Sequence, residues 1–176
     1  MIGKILFNVF LLMATIAVQK GFIPSLPYFL SDTNIILISI VFILGIYGFW
    51  TALYWTIGTG IILDVYSFVF FGNNLLSLLL VLFIANFLFE HLFTNKSLYS
   101  FVMVVFLGSI FFEIFFISFY YLEVFMKKEN FDIIFDGNFF SLKLFGLISN
   151  LVISVIIFNA MNFLSNKLKP VFLFRS

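Results

Sequence analysis

Two carboxylates stand inside apolar runs of this sequence, and their chemistry needs an explanation before any other. Asp64 is the one charged side chain between residues 33 and 89, and Glu113 is the one between residues 97 and 122. A carboxylate within bilayer hydrocarbon costs at least about 2.5 kcal/mol, so it normally faces the interior of a helix bundle. Such a group can pack helices together, contact a partner protein, or bind an ion or substrate. For Asp64 the sequence leaves all three roles open.

Asp64 belongs to a stripe of small and polar residues. Helical geometry places four of them within about 80° of one another: Thr56, Gly60, Asp64 and Ser67. Gly58 and Gly60 have no side chains, so a second helix can approach this segment closely. Thr56 and Ser67 either donate hydrogen bonds to the carboxylate or bond to their own backbone. We therefore expect this face to contact a neighbouring helix.

Glu113 lies among phenylalanines, with Ser109 one turn before it. The sequence places no Lys or Arg at a comparable depth, because Lys143 falls at the edge of a predicted helix. Desolvation disfavours an ionised carboxylate. We therefore expect a neutral, hydrogen-bonded acid, with a proton relay as the alternative.

Other reactive residue types are sparse. The chain has no Cys, and His91 is its single histidine, so thiolate and multi-histidine metal sites are not expected. No Gly-x-Ser-x-Gly elbow, Walker loop or His-Glu-x-x-His pattern occurs. The sequence therefore predicts neither an enzyme nor a cofactor. A formal net charge of +1 also argues against nucleic acid as a partner.

The elements that must position these residues are membrane-spanning helices. The chain is 64% hydrophobic and 10% charged, whereas soluble domains are about 25% charged. The charge-free runs predict an all-α polytopic membrane protein, with residues 1–176 forming one bundle of about six helices. The predicted spans lie near residues 2–19, 33–50, 52–71, 74–92, 97–121 and 143–165.

The distribution of basic residues predicts the orientation of the bundle. Six spans place both termini on one side, and a small excess of basic residues indicates that this side is cytoplasmic. The residues counted there are Lys4, Lys96, Lys167, Lys169 and Arg175. The longest piece on the other side is 122–142, with a turn-like Asp136-Gly137-Asn138. We expect the first segment to remain as a helix, because the spacing of Ala14 and Ala17 fits a signal cleavage site poorly.

The segment around Asp64 also resembles a known family. Residues Gly58–Ser67 read GTGIILDVYS and are followed by Phe71–Leu75, which read FGNNL. This order resembles the Gly-x-x-x-Asp segment of the MreD-type rod shape-determining membrane proteins, in which a later glycine opens the next helix. The positions that match are Gly60, Asp64 and Gly72.

The resemblance extends along the chain, from a short first helix ending at Gln19 to the short connection 93–97 before the fifth helix. Phe71 departs from it, since the family often has proline or a small turn former there. The resemblance implies a non-enzymatic component of the bacterial cell-elongation machinery in the inner membrane, beside an MreC-like protein and linked to MreB-type filaments and peptidoglycan synthases. Asp64 would then accept hydrogen bonds from backbone groups near Gly72 and Asn73.

The alternative is a substrate-binding subunit of an energy-coupling-factor vitamin transporter, because those six-helix bundles are distantly similar to the family. That alternative predicts a cavity that faces outward and is lined by polar stripes. In both cases the residues expected to act are structural or partner-contacting ones: Gly58, Gly60, Asp64, Ser67, Gly72, Asn73 and Glu113.

Overall fold

Two glycines divide the long apolar run of the sequence into separate helices. In the computed structural model of the chain, helix α2 (Ile35–Tyr47) ends at Gly48, and α3 (Phe49–Tyr66) begins at the next residue. Gly72 immediately precedes α4 (Asn73–Phe87). Gly48 has φ +87° and Gly72 has φ +108°, a region that residues with a Cβ rarely adopt. The turns therefore form where the sequence supplies glycine.

The structure describes residues 2–28, 30–67, 71–95, 97–127 and 137–172, with side chains described for 8–28, 30–67, 71–95, 97–127 and 139–163. Helix α1 spans Ile2–Ala17 and continues through a π-helical turn, Val18–Phe22, and a 3₁₀ turn, Ile23–Ser25. Helix α4 likewise widens into a π-helical turn, Leu88–Leu92. Helices α5 (Leu98–Lys127) and α6 (Gly137–Phe172) complete the bundle.

Helix α2 lies at the centre of the bundle. Its sequence, IILISIVFILGIY, is apolar on all sides, and a helix of that kind is buried by its neighbours. It contacts each of the other five helices of the described chain. Ile36, Leu37, Ile38, Ile40 and Val41 are all at most 2% exposed. The core of the protein therefore surrounds α2, and the other helices present their outer faces to lipid.

The described chain is a membrane bundle, as the sequence predicted. Four segments are long and apolar enough to cross a bilayer: Asn8–Ser25, Asn73–Leu92, Leu98–Lys127 and Phe139–Phe163. Helix α2 has 13 residues and is therefore about 20 Å long, less than the hydrocarbon thickness of about 30 Å. Helix α3 runs back from the same Gly48 turn for 18 residues, so it extends about 7 Å beyond the start of α2.

The observed helices differ from the predicted spans mainly at the end of the chain. The sixth span was predicted at 143–165, whereas α6 occupies Gly137–Phe172, and α5 continues to Lys127 instead of ending near residue 121. Gly137 and Asn138, predicted in a turn, begin α6, while Asp136 lies outside the described residues. Helix α6 therefore begins six residues before Lys143, the charged residue at which the predicted span starts.

Candidate functional site

The Asp64 carboxylate holds the turn between α3 and α4. Its Oδ1 accepts hydrogen bonds from the backbone N–H of Asn74 at 2.8 Å and from the Asn74 side-chain amide at 3.0 Å. Its Oδ2 accepts from the backbone N–H of Leu75 at 3.2 Å. Asp64 is 3% exposed. Both carboxylate oxygens are therefore used inside the protein.

Asp64 does for α4 what an N-cap side chain usually does. The first N–H groups of a helix have no partner within it, and an N-cap side chain normally accepts from the second or third of them. The N-cap residue of α4 is Gly72, which has no side chain to do so. Asp64 supplies the acceptor from α3, and its negative charge lies at the positive end of the α4 dipole.

Gly60 allows α3 and α4 to approach closely enough for this contact. A Cβ added at Gly60 would lie 2.8 Å from the Cα of Leu75, whose N–H is bonded to Asp64. A Cβ at Gly58 would meet only the tip of the Leu12 side chain, also at 2.8 Å. Gly60 therefore faces the α4 backbone, whereas Gly58 faces a flexible side chain of α1.

These two glycines give a matched pair of substitutions. We expect Gly60→Ala to lower the free energy of unfolding by about 2 kcal/mol, because overpacking against backbone forces the helices apart. Gly58→Ala is expected to be close to neutral, since the Leu12 tip can move and alanine favours the helix by up to about 1 kcal/mol. Thermal unfolding of the detergent-solubilised protein measures both. Equal losses from the two substitutions would contradict the assignment of Gly60 to the α3–α4 contact.

The other members of the predicted Asp64 set have separate roles. Thr56 is buried and donates to the carbonyl of Ala52, and Ser67 donates to the backbone carbonyl of Asp64, so neither side chain bonds to the carboxylate. Asn73 is buried but its side-chain atoms have no hydrogen-bond partner among the described residues. Sequence analysis named Asn73, whereas the donors come from the two residues that follow it, because those positions present their N–H groups to a cap.

The expectation that Glu113 has no cationic neighbour was wrong. The Lys143 ammonium on α6 lies 3.0 Å from Glu113 Oε1 and 3.0 Å from Asp32 Oδ1. We call Asp32, Glu113 and Lys143 the charge cluster. Because α6 begins at Gly137, Lys143 stands inside the helix and at the depth of Glu113 instead of at the helix edge. Glu113 therefore shares the Lys143 ammonium with Asp32, so its carboxyl group has a basic partner inside the bundle.

A network of hydrogen bonds positions the segment that contains Asp32 beside α6. The Gln19 side chain donates to the carbonyl of Thr33 at 2.9 Å and accepts from the N–H of Ile35 at 2.8 Å. Asn150 accepts from the N–H of Asn34 at 2.8 Å. The segment before α2 is thus bonded to both α1 and α6, although those two helices lie at opposite ends of the sequence.

Gly146 allows Asp32 to approach α6 closely. A Cβ there would lie 2.7 Å from Asp32 Oδ2 and 2.9 Å from the Asp32 carbonyl oxygen. Burial raises the pKa of the Asp32 carboxyl above its usual value, and the charge and hydrogen bond of Lys143 oppose that rise without cancelling it. The Asp32 carboxylate is therefore poorly solvated, and the Lys143 ammonium stabilises its charged form there.

A cavity of about 520 Å³ lies between α5 and α6, and the charge cluster forms part of its wall. Facing residues of the two helices line it in order along the helices. The hydrogen-bonded pair Ser109 and Asn150 comes first, then Glu113 and Lys143. Ile117 and Phe140 follow towards the end at which α2 begins. A smaller cavity of about 170 Å³ shares the charge cluster and also contacts Lys20 and Asn74.

Sequence analysis missed Asp32, Lys143, Gly146 and Asn150 as site residues. One signal was present: Lys143, Gly146, Asn150 and Ser154 recur at spacings of three and four residues, the period of a helix face. Asn150 is 4% and Ser154 0% exposed. The polar face of α6 could thus be predicted from the sequence, but its contact with Asp32 could not. His91 is exposed in the π-helical turn after α4, and its ring is tilted against that of Phe87 with 4.6 Å between the centroids.

Among the residues described, no group of three or more His, Cys, Asp or Glu side chains is arranged to hold a metal ion. No protein-family model matches the chain, and no curated protein or solved structure shows significant similarity to it. A functional assignment therefore rests on the geometry of the Asp64 contact and the charge cluster and on the sequence resemblance.

Proposed function

We propose that this chain is a non-enzymatic scaffold of the bacterial cell-elongation machinery. It would reside in the inner membrane with both termini in the cytoplasm and couple an MreC-like partner and MreB-type filaments to peptidoglycan synthesis. One structural observation supports the proposal: the three residues that match the MreD-type pattern all act at the contact between α3 and α4. Gly60 admits α4, Asp64 caps it, and Gly72 forms its left-handed entry, so the three belong to one unit.

In this proposal Asp64 serves architecture. A carboxylate with both oxygens bonded inside the bundle is not available to an ion or a transported substrate. What it maintains is the relative position of α3 and α4, whose outer faces expose large apolar side chains such as Tyr54 and Phe83. A fixed hairpin of this kind presents a rigid surface on which the transmembrane helix of a partner can pack.

Cysteine cross-linking tests the proposal, because the chain contains no native cysteine. Single cysteines are placed at one lipid-facing position on each outer helix, and one cysteine is placed in the transmembrane helix of the MreC-like protein from the same genome. Suitable exposed positions are Met13, Tyr54, Phe83, Ile114 and Ile156. We expect cross-links on one face of the bundle and not on the others, and we expect Asp64→Ala to weaken co-purification and change cell width.

The control is Glu90→Gln, which neutralises an exposed acid that bonds to Asn86. It is expected to leave the cross-links and cell width unchanged. The scaffold proposal fails if none of the five positions cross-links and the two proteins also fail to co-purify. It also fails if Asp64→Ala changes neither capture of the partner nor cell width.

The cavity between α5 and α6 is the observation that favours the second candidate, the vitamin-binding subunit of a transporter. Its volume of about 520 Å³ falls within the range of about 300–1,000 Å³ typical of small-molecule sites. Mass spectrometry of the purified, denatured protein distinguishes the two functions. A stoichiometric water-soluble vitamin would support transport, whereas its absence together with capture of the partner would support the scaffold.

A further inference from the structure

The cavity between α5 and α6 has the electrostatic character of a cation site. Two carboxylates, Asp32 and Glu113, share the single ammonium of Lys143, so the charge cluster keeps one unbalanced negative charge when all three groups are ionised. No other cation among the described residues forms an ion pair with either carboxylate. Lys20 contacts the smaller cavity but is exposed and lies beyond ion-pair distance. A second cation would therefore be favoured beside the cluster.

The aromatic residues of the cavity fit a cation as well. Phe112, Phe139 and Phe140 line it together with the two carboxylates. The Lys143 ammonium already lies 5.7 Å from the centroid of the Phe139 ring, within the distance of about 6 Å at which an aromatic face attracts a cation. Carboxylates combined with aromatic faces are the surroundings that an ammonium group prefers.

The remaining wall is apolar and indicates the other part of the ligand. Beyond the charge cluster the cavity is lined by aliphatic side chains, among them Ile114, Ile117 and Leu144. A phospholipid fits the charge cluster poorly, because its phosphate would lie against two carboxylates. An amine without a phosphate avoids this repulsion.

We propose that the cavity between α5 and α6 binds a small amphiphile that carries a primary ammonium group on an apolar body. The ammonium joins Asp32, Glu113 and Lys143 and balances their charge. The apolar body lies along Ile117, Phe140 and Leu144. This site goes beyond the scaffold function and does not depend on it.

Octylamine is the probe, and the full chain is reconstituted in phosphatidylcholine nanodiscs, which contain no primary amine. Isothermal titration against empty nanodiscs separates saturable binding from partition into lipid. We expect saturable binding of about one octylamine per protein and at least tenfold weaker binding of octanol, which matches the chain but lacks the charge. Equal binding of octanol would show that the cavity accepts only an apolar chain and would overturn the proposal.

Three variants locate the binding. Glu113→Gln is expected to weaken octylamine binding about tenfold or more, the scale of a lost hydrogen bond to a charged group. Ile117→Trp fills the apolar part of the cavity at a half-buried position and is expected to abolish binding without altering the charges. Glu123→Gln neutralises another acid of α5 and is the control. The proposal is overturned by absence of saturable binding to the wild-type protein, or by equal effects of Glu123→Gln and Ile117→Trp.

Discussion

Replacing Asp64 by alanine is expected to lower the free energy of unfolding of the bundle by about 3 kcal/mol. The substitution removes three hydrogen bonds to a carboxylate, and bonds to charged groups contribute about 1.5–3 kcal/mol each. It also leaves the N–H groups of Asn74 and Leu75 without an acceptor in a region that excludes water. Relief of the desolvated charge offsets part of this loss. Unfolding followed by circular dichroism in detergent measures the change.

Two further variants separate the charge from the shape of Asp64. Asp64→Asn keeps one acceptor oxygen but turns an amide donor towards a backbone N–H, so an intermediate loss is expected. Ser67→Ala removes only a bond from a hydroxyl to the carbonyl of Asp64, and a change below about 0.5 kcal/mol is expected because the site is half-exposed. If Asp64→Ala were as mild as Ser67→Ala, the carboxylate would not be the cap of α4.

The contact made by Asp64 could be anticipated because its determinants are close in sequence. The helical period places Gly60 and Asp64 on one face, and Gly72 marks the turn to α4 only eight residues after Asp64. A hairpin of two adjacent helices has few possible arrangements, so a carboxylate at the end of the first naturally reaches the start of the second. The sequence missed only which residues of α4 are the donors, namely Asn74 and Leu75.

The charge cluster could not be anticipated because its members are far apart in sequence. Lys143 bonds to Asp32, 111 residues away, and to Glu113, 30 residues away. Their meeting depends on the segment before α2, which is hydrogen-bonded to α1 and α6 and so holds Asp32 beside Lys143. It also depends on α6 beginning before Lys143. Hydropathy gives approximate span limits, but it contains no information on the relative depth of neighbouring helices.

The two polar centres of the bundle, the Asp64 contact and the charge cluster, also differ in how accessible their side chains are. The oxygens of Asp64 are bonded to adjacent α4 and are buried, which suits a fixed structural role. The side chains of the charge cluster are 23–32% exposed and border two cavities. In the proposed scaffold the relative position of α3 and α4 therefore depends on the first centre, whereas the proposed small ligand binds at the second.

Lys143→Met is expected to lower the free energy of unfolding by about 2 kcal/mol, because it leaves the Asp32 and Glu113 carboxylates facing each other without a cation. Breaking a fully buried ion pair costs about 3–5 kcal/mol, and partial exposure of these groups reduces that figure. Glu113→Gln alone is expected to cost less than about 1 kcal/mol, since a one-to-one pair of Asp32 and Lys143 remains. Chemical denaturation of the detergent-solubilised variants measures both changes.

A rescue experiment tests whether the stability lost in Lys143→Met is due to charge. Adding Glu113→Gln and Asp32→Asn to Lys143→Met removes all three charges, and we expect the triple variant to recover at least half of the loss, because no uncompensated charge is left. Lys127→Met is the matched control: it breaks the pair between Lys127 and Glu123 on α5, in which Lys127 is 53% exposed, and such pairs contribute less than about 1 kcal/mol. A triple variant no more stable than Lys143→Met would show that the lysine acts through packing of its aliphatic chain and not through the two carboxylates.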